Sequence, residues 1–143
     1  MSIRNKALDL LARREHSRSE LKNKLNHRFR GEEHEIDLVL DGLENENLLS
    51  DQRFTEMFIR TRVAKGIGPI RIVSELRQKG VDASVADLVL AELDIEWSVY
   101  LKALSLQKYG ETVSEDERER AKRIRFFQYK GYTPELIREV VPW

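Results

Sequence analysis

A short motif recurs along this chain at nearly constant spacing, and that recurrence limits the accessible folds more than any other feature. Ser19-Glu20-Leu21-Lys22-Asn23-Lys24 leads on to Asp37-Leu38-Val39-Leu40 and Leu43, and Ser74-Glu75-Leu76-Arg77-Gln78-Lys79 leads on to Asp87-Leu88-Val89-Leu90 and Leu93. The first pair lies 55 residues apart and the second 50, so the connection between two similar helices differs by five residues. A weaker third copy follows: Lys79-Gly80-Val81 is echoed 51 residues later by Lys130-Gly131-Tyr132, with Leu136, Ile137 and Val140 in the apolar positions. Self-similarity at such a period marks a tandem array in which each unit buries its apolar face against its neighbours. Repeats spanning 1–47, 48–94 and 95–143 are expected.

Within each repeat the apolar spacing is helical. Ile3, Ala7, Leu8 and Leu11 form one stripe, Leu21, Leu25 and Phe29 a second, and Ile36, Val39, Leu40 and Leu43 a third. Ser17 suits an N-cap, with Glu20 completing a capping box, and Gly31 can end that helix. In the second repeat a helix carrying Phe54, Met57, Phe58 and Ile59 starts after Ser50. Pro69 opens the next helix, Gly80 stops it, and Ser84 can cap a third. The last repeat offers a helix with Trp97, Leu101 and Leu104, a long charged helix from about Ser114, and a short one opened by Thr133-Pro134. No stretch alternates with period two for long enough to form a strand. The expected fold is all-α, nine helices in three tandem three-helix repeats. Phe54, Phe58, Trp97, Phe126 and Phe127 lie near apolar stripes and are expected in the core, and Trp143 is expected to cap the last repeat.

The 25 basic and 25 acidic side chains of the 143 residues cancel, but not locally. Residues 1–30 carry +6, 31–58 carry −8, 59–80 carry +5, 81–98 carry −5 and 99–143 carry +2. Basic and acidic helices therefore alternate, and a folded chain can present separate faces that the net charge hides. With no cysteine, disulfides, thiolate nucleophiles and Cys-ligated zinc are excluded. No apolar run approaches a membrane span, and the N-terminal stretch is amphipathic rather than signal-like, so a cytoplasmic protein without membrane contact is expected. Gly66-Ile67-Gly68-Pro69 lacks the Gly-Lys-Ser/Thr of a phosphate loop and reads as a helix connection and candidate hinge, as does Gly110. His16, His27 and His34 are too few and too scattered for a metal site. No catalytic residue, cofactor or metal is expected, and the chain does not read as an enzyme.

The stretches Leu10-Leu11-Ala12-Arg13-Arg14-Glu15-His16-Ser17-Arg18-Ser19-Glu20-Leu21, Leu49-Ser50-Asp51-Gln52-Arg53-Phe54, Arg62-Val63-Ala64-Lys65-Gly66-Ile67-Gly68-Pro69-Ile70-Arg71-Ile72 and Glu75-Leu76-Arg77-Gln78-Lys79-Gly80-Val81 together resemble the RecX family, bacterial modulators of the RecA recombinase. In the third repeat Phe126-Phe127-Gln128-Tyr129-Lys130-Gly131-Tyr132 resembles the family's Leu-x-x-Arg-Gly-Phe, with Lys130 and Tyr132 replacing Arg and Phe. The resemblance implies an elongated, curved helical array that binds RecA and RecA–DNA filaments. It also implies inhibition of ATP hydrolysis, strand exchange and coprotease activity, and so modulation of DNA repair, recombination and the SOS response. A monomer is expected.

The basic leading helices supply the candidate partner-binding strip: Arg13, Arg14, Arg18 and Lys22 from the first repeat, and Arg60, Arg62, Lys65, Arg71, Arg77 and Lys79 from the second. A strip of this kind suits a phosphate backbone or the acidic groove of a filament. The competing reading is a free-standing helix-turn-helix-like DNA-binding protein. Against it, the third helix of the first two repeats, where a recognition helix would sit, is acidic: Glu32, Glu33, Glu35, Asp37, Asp41 and Glu44 in one, Asp82, Asp87, Glu92 and Asp94 in the other. Only a weak, nonspecific contact with DNA is therefore expected.

Overall fold

The structure is a computed structural model that describes residues 1–142; Trp143 and the capping role expected of it lie outside the described residues. Among the described residues there are nine helices and no strand: α1 (Ile3–Arg13), α2 (Arg18–Arg28), α3 (Glu33–Asn45), α4 (Asp51–Ala64), α5 (Pro69–Gln78), α6 (Ala83–Leu93), α7 (Trp97–Tyr109), α8 (Glu117–Lys130) and α9 (Pro134–Arg138). None of them is long and apolar enough to cross a membrane. The chain packs as two compact units, each assembled from separated segments. Met1–Phe58 combines with Leu76–Glu92, and Ile59–Glu75 combines with the chain from Leu93 onward.

Helix starts follow side-chain capping chemistry. The Ser17 hydroxyl accepts from Glu20 N at 3.0 Å, Ser50 from Arg53 N at 3.1 Å, and Thr133 from Leu136 N at 3.2 Å with Pro134 in the first turn. Three expectations need correction. Glu20 does not complete a capping box, because Arg14 and Lys79 hold its carboxylate. Ser84 lies inside α6, whose first turn is closed by Ala86 N on the Asp82 carbonyl at 3.1 Å. The charged helix starts at Glu117 rather than near Ser114, because Asp116 accepts from Arg118 N at 3.0 Å and fixes the start there.

In the first unit Ala7 and Leu10 of α1, Leu21 and Leu25 of α2, and Ile36, Leu40 and Leu43 of α3 meet with Leu49 in one buried cluster. In the second, Leu101 of α7, Ile124 and Phe127 of α8, Ile137 of α9, Tyr132 and Val141 form the corresponding core, with Trp97 and Phe126 partly buried against it. The Tyr132 hydroxyl, buried there, donates to the Gly66 carbonyl at 3.1 Å, and burial pushes its pKa up to about 12.

Both units close with the same joint, and it uses the Lys-Gly echo seen in the sequence. Helix α5 ends with Val81 N bonded to Leu76 O at 3.0 Å over Gly80 at φ 78°, and α8 ends with Tyr132 N bonded to Phe127 O at 3.1 Å over Gly131 at φ 101°. Each is a helix stop that needs a glycine in the left-handed region and buries the apolar residue after it. The first turn lies against the start of α2: Ser17 Oγ donates to Lys79 O at 2.7 Å, and a Cβ on Gly80 would stand 2.3 Å from Ser19 Cβ. The second lies against the start of α5, where Gly68 N donates to Lys130 O at 2.8 Å and Ile70 N to Gly131 O at 2.9 Å. A Cβ on Gly68 would come within 2.6 Å of the Gly131 backbone, so the two backbone segments touch without room for a side chain. The Gly66-Ile67-Gly68 segment, expected as a hinge, is thus a fastened connection.

Candidate partner-binding surface

The ten basic residues expected to form the strip divide between the units: Arg13, Arg14, Arg18, Lys22, Arg77 and Lys79 lie in the first, and Arg60, Arg62, Lys65 and Arg71 in the second. In the first unit most of them face carboxylates. Arg14, at the corner between α1 and α2, forms a two-pronged pair with Glu20 at 2.9 and 3.0 Å, and Lys79 reaches the same carboxylate at 3.5 Å. Burial alone would raise the Glu20 pKa, but the guanidinium outweighs it and holds the carboxyl below its usual range. Arg18 opens α2 facing the acidic side of α3, where it pairs with Asp37 at 3.9 Å, Asp41 at 2.8 Å and Glu44. Lys22, one turn on, meets Asp37 at 2.9 Å. Arg13 pairs with Asp9 one turn back at 3.2 Å on an exposed face, where such a pair contributes about 0–1 kcal/mol. The acidic third helix of the first repeat therefore neutralises the basic second one. Arg77 is exposed and pairs with no carboxylate among the described residues.

In the second unit Glu75 holds two guanidiniums. Arg62 binds it in two-pronged fashion at 2.8 and 2.7 Å, and Arg71 approaches at 3.3 Å. Arg71 also lies over the Tyr129 ring, 5.0 Å from its centroid. Arg60 is exposed on α4. Lys65 borders an open cavity of about 380 Å³ with Leu104, Gln107, Lys108 and Lys130. The last two lysines lie over the Phe126 ring, at 4.9 and 5.7 Å from its centroid, and none of the three pairs with a carboxylate among the described residues. Lys65 was legible in the sequence as a basic residue; its company was not, because Lys108 and Lys130 come from α7 and the end of α8.

Beneath the Arg14 corner lies His16, only 1% exposed. Its Nδ1 sits 3.0 Å from the Arg14 carbonyl and its Nε2 2.9 Å from the Lys24 ammonium. A carbonyl can only accept and an ammonium can only donate, so Nδ1 carries the proton and Nε2 is the acceptor: the ring is neutral. Burial lowers its pKa, and the charges of Arg14 and Lys24 lower it further. Below the unfolded value of about 6.5 the unfolded chain therefore takes up a proton that the folded chain resists, and stability falls with pH. Between pH 7.5 and 5.5 a loss of up to about 1.4 kcal/mol is expected from this group. Denaturant titrations at the two pH values check it: a His16→Gln variant should show a smaller difference than the parent chain, and an equal difference would remove His16 as the cause.

Sequence reading also passed over the outward face of α8. Ile124 and Phe127 are buried, and on the opposite side Arg118, Lys122, Arg125 and Tyr129 recur at helical spacing, all exposed. Their spacing was visible, but the acids of residues 111–119 masked them in a charge count over the whole C-terminal block.

Comparison with known proteins places this arrangement among relatives. Three family models match in chain order: RecX, first three-helix domain, over residues 4–43; RecX, second three-helix domain, over 50–90; and RecX, third three-helix domain, over 101–141. Among similar proteins is Regulatory protein RecX of Halorhodospira halophila, 41% identical over 137 residues that cover 96% of this chain and 84% of that one. Regulatory protein RecX of Pseudomonas fluorescens strain Pf-5 is 43% identical, covering 96% and 88%. The crystal structure of RecX from Lactobacillus salivarius shares the fold with a TM-score of 0.74 and 24% identity, over 96% of this chain and 91% of that one. A second crystal structure, of regulatory protein RecX, gives a TM-score of 0.77 over 96% of this chain and 72% of that one.

Proposed function

The chain belongs to the RecX family of regulatory proteins, and from that premise we propose that it binds RecA and RecA–DNA filaments and inhibits RecA's ATP hydrolysis, strand exchange and coprotease activity. It works as a monomer in the cytoplasm and by binding rather than by catalysis, so that its effect on DNA repair, recombination and the SOS response passes through the filament. The observation that carries this reading is the match of all three family domains, in order, over almost the whole chain. The start of α3 supports it against a free-standing DNA reader, since Glu32, Glu33 and Glu35, exposed and outside the ion pairs with α2, would repel phosphates where a recognition helix must enter a groove.

The ion pairs sharpen which basic residues serve the partner. Arg14, Arg18, Lys22 and Arg62 hold carboxylates of this chain, so their role in the strip is to shape its corners. The direct contacts fall to exposed cations without an acidic partner, Arg77 in the first unit and Lys65 in the second. The test is RecA ATP hydrolysis on single-stranded DNA with this protein added. Inhibition is expected, and reversing charge at Arg77 and Lys65 together should relieve it while leaving the helical circular dichroism unchanged.

A further inference from the structure

We propose that the outward face of α8 is a binding site for single-stranded nucleic acid, in which Arg118, Lys122 and Arg125 hold successive phosphates and Tyr129 stacks on a base. This goes beyond the RecA reading and stands without it, because the contact is with naked nucleic acid.

The face is set by the helix itself. Positions 118, 122, 125 and 129 project within one narrow arc, directly opposite Ile124 and Phe127, which α8 buries in the core of its unit. A solvated helix face ordinarily mixes both signs of charge, and here the arc carries none of the acids of α8. Glu119 projects to the flank and is taken by Arg123 at 3.4 Å, while Glu117 and Asp116 stay at the first turn. Arg118, Lys122 and Arg125 make no ion pair among the described residues. The stripe runs for about 16 Å along the helix, long enough for its three cations to meet successive phosphates of one extended strand.

Tyr129 supplies what a merely solvated face lacks. It is 71% exposed, an unusual position for an aromatic ring at the end of a well-packed helix. The ring is not loose: the Arg71 guanidinium lies 5.0 Å from its centroid and donates to the Tyr129 carbonyl at 3.4 Å, and Glu75 holds that guanidinium in turn. A pre-positioned ring beside a row of uncompensated cations fits a single strand, whose bases have free faces, better than a duplex, whose bases are already stacked. Every base has such a face, so binding along this stripe is independent of sequence.

The test uses the full chain without RecA. Fluorescence anisotropy of a labelled oligothymidylate is compared with that of an abasic strand and of a duplex of equal length, at salt from about 50 to 200 mM. The triple variant R118E/K122E/R125E is expected to bind oligothymidylate at least about tenfold more weakly and to reduce the log–log salt slope by about 2, three contacts at about 0.7 each. Tyr129→Ala is expected to weaken oligothymidylate binding about fivefold or more but to leave the abasic strand unaffected, and Tyr129→Phe should restore the loss. All four positions are exposed, and circular dichroism confirms that the variants fold. Undetectable binding by the parent chain at low salt, parental binding by the triple variant, or equal effects of Tyr129→Ala on the two strands would each overturn the proposal. So would a duplex bound as tightly as the single strand. None of these outcomes bears on RecA inhibition, so the two readings fail separately.

Discussion

A Gly131→Ala variant is expected to lose about 2–4 kcal/mol of stability, among the largest effects available to a single methyl group in this protein. Gly131 stands at φ 101°, in the left-handed region, and a Cβ there would lie 2.4 Å from Arg71 Cβ and 2.7 Å from Arg71 N. The backbone cannot give way, because Ile70 N donates to the Gly131 carbonyl and Gly68 N to the Lys130 carbonyl across the same contact. Two glycines separate the overlap from the dihedral cost. Gly31 has φ 83° with nothing within 4 Å of its Cβ position, so Gly31→Ala should lose only about 1–2 kcal/mol. Gly42 sits inside α3 with equally open surroundings, and Gly42→Ala should gain about 0.5–1 kcal/mol from helix propensity. Denaturant titration of the three variants checks the order. Gly131→Ala no more destabilised than Gly31→Ala would mean that the joint has slack.

Phe127→Ala should cost about 3–5 kcal/mol. Phe127 is fully buried on the inner face of α8, with the Tyr109 ring 5.9 Å away at 75° and the Phe126 ring 5.3 Å away at 69°, both edge-on. Truncation removes the transfer free energy of the ring and leaves a cavity that α7 and α9 cannot fill without moving, whereas Phe127→Leu should cost well under half as much. Besides the denaturation midpoint, amide hydrogen exchange reports where the loss falls. Protection should drop in α8 and α9 and hold in α1 to α3, whose core is a separate cluster. Uniform loss along the chain would contradict two separate cores.

These effects divide along the line between what periodicity reveals and what it hides. The 3.6-residue spacing of Leu21, Leu25 and their counterparts is a local property, so the helices were legible, and so was the Lys-Gly echo at positions 79 and 130. What that echo does was not: the contacts of Gly80 with Ser19 and of Gly131 with Arg71 join residues about 60 apart in sequence, where spacing carries no signal. For the same reason the packing units draw on separated stretches of chain. Arg18 illustrates the limit for the surface. Its charge was plain, and so was the acidity of residues 31–58, but only the packing of α2 on α3 turns the two into ion pairs with Asp37, Asp41 and Glu44. Two of the helix starts moved because a residue two positions from the expected cap, Asp82 before Ser84 and Asp116 after Ser114, closes the first turn.

The central claim is that this RecX-family chain acts on the RecA filament, and RecA ATP hydrolysis on single-stranded DNA, titrated with the protein at low and physiological salt, tests it most directly. Hydrolysis should fall with added protein at both salt concentrations, because a contact made largely with protein is less screened than one made with phosphates alone. Undiminished hydrolysis at physiological salt, from a chain that still binds short duplex DNA specifically, would contradict it.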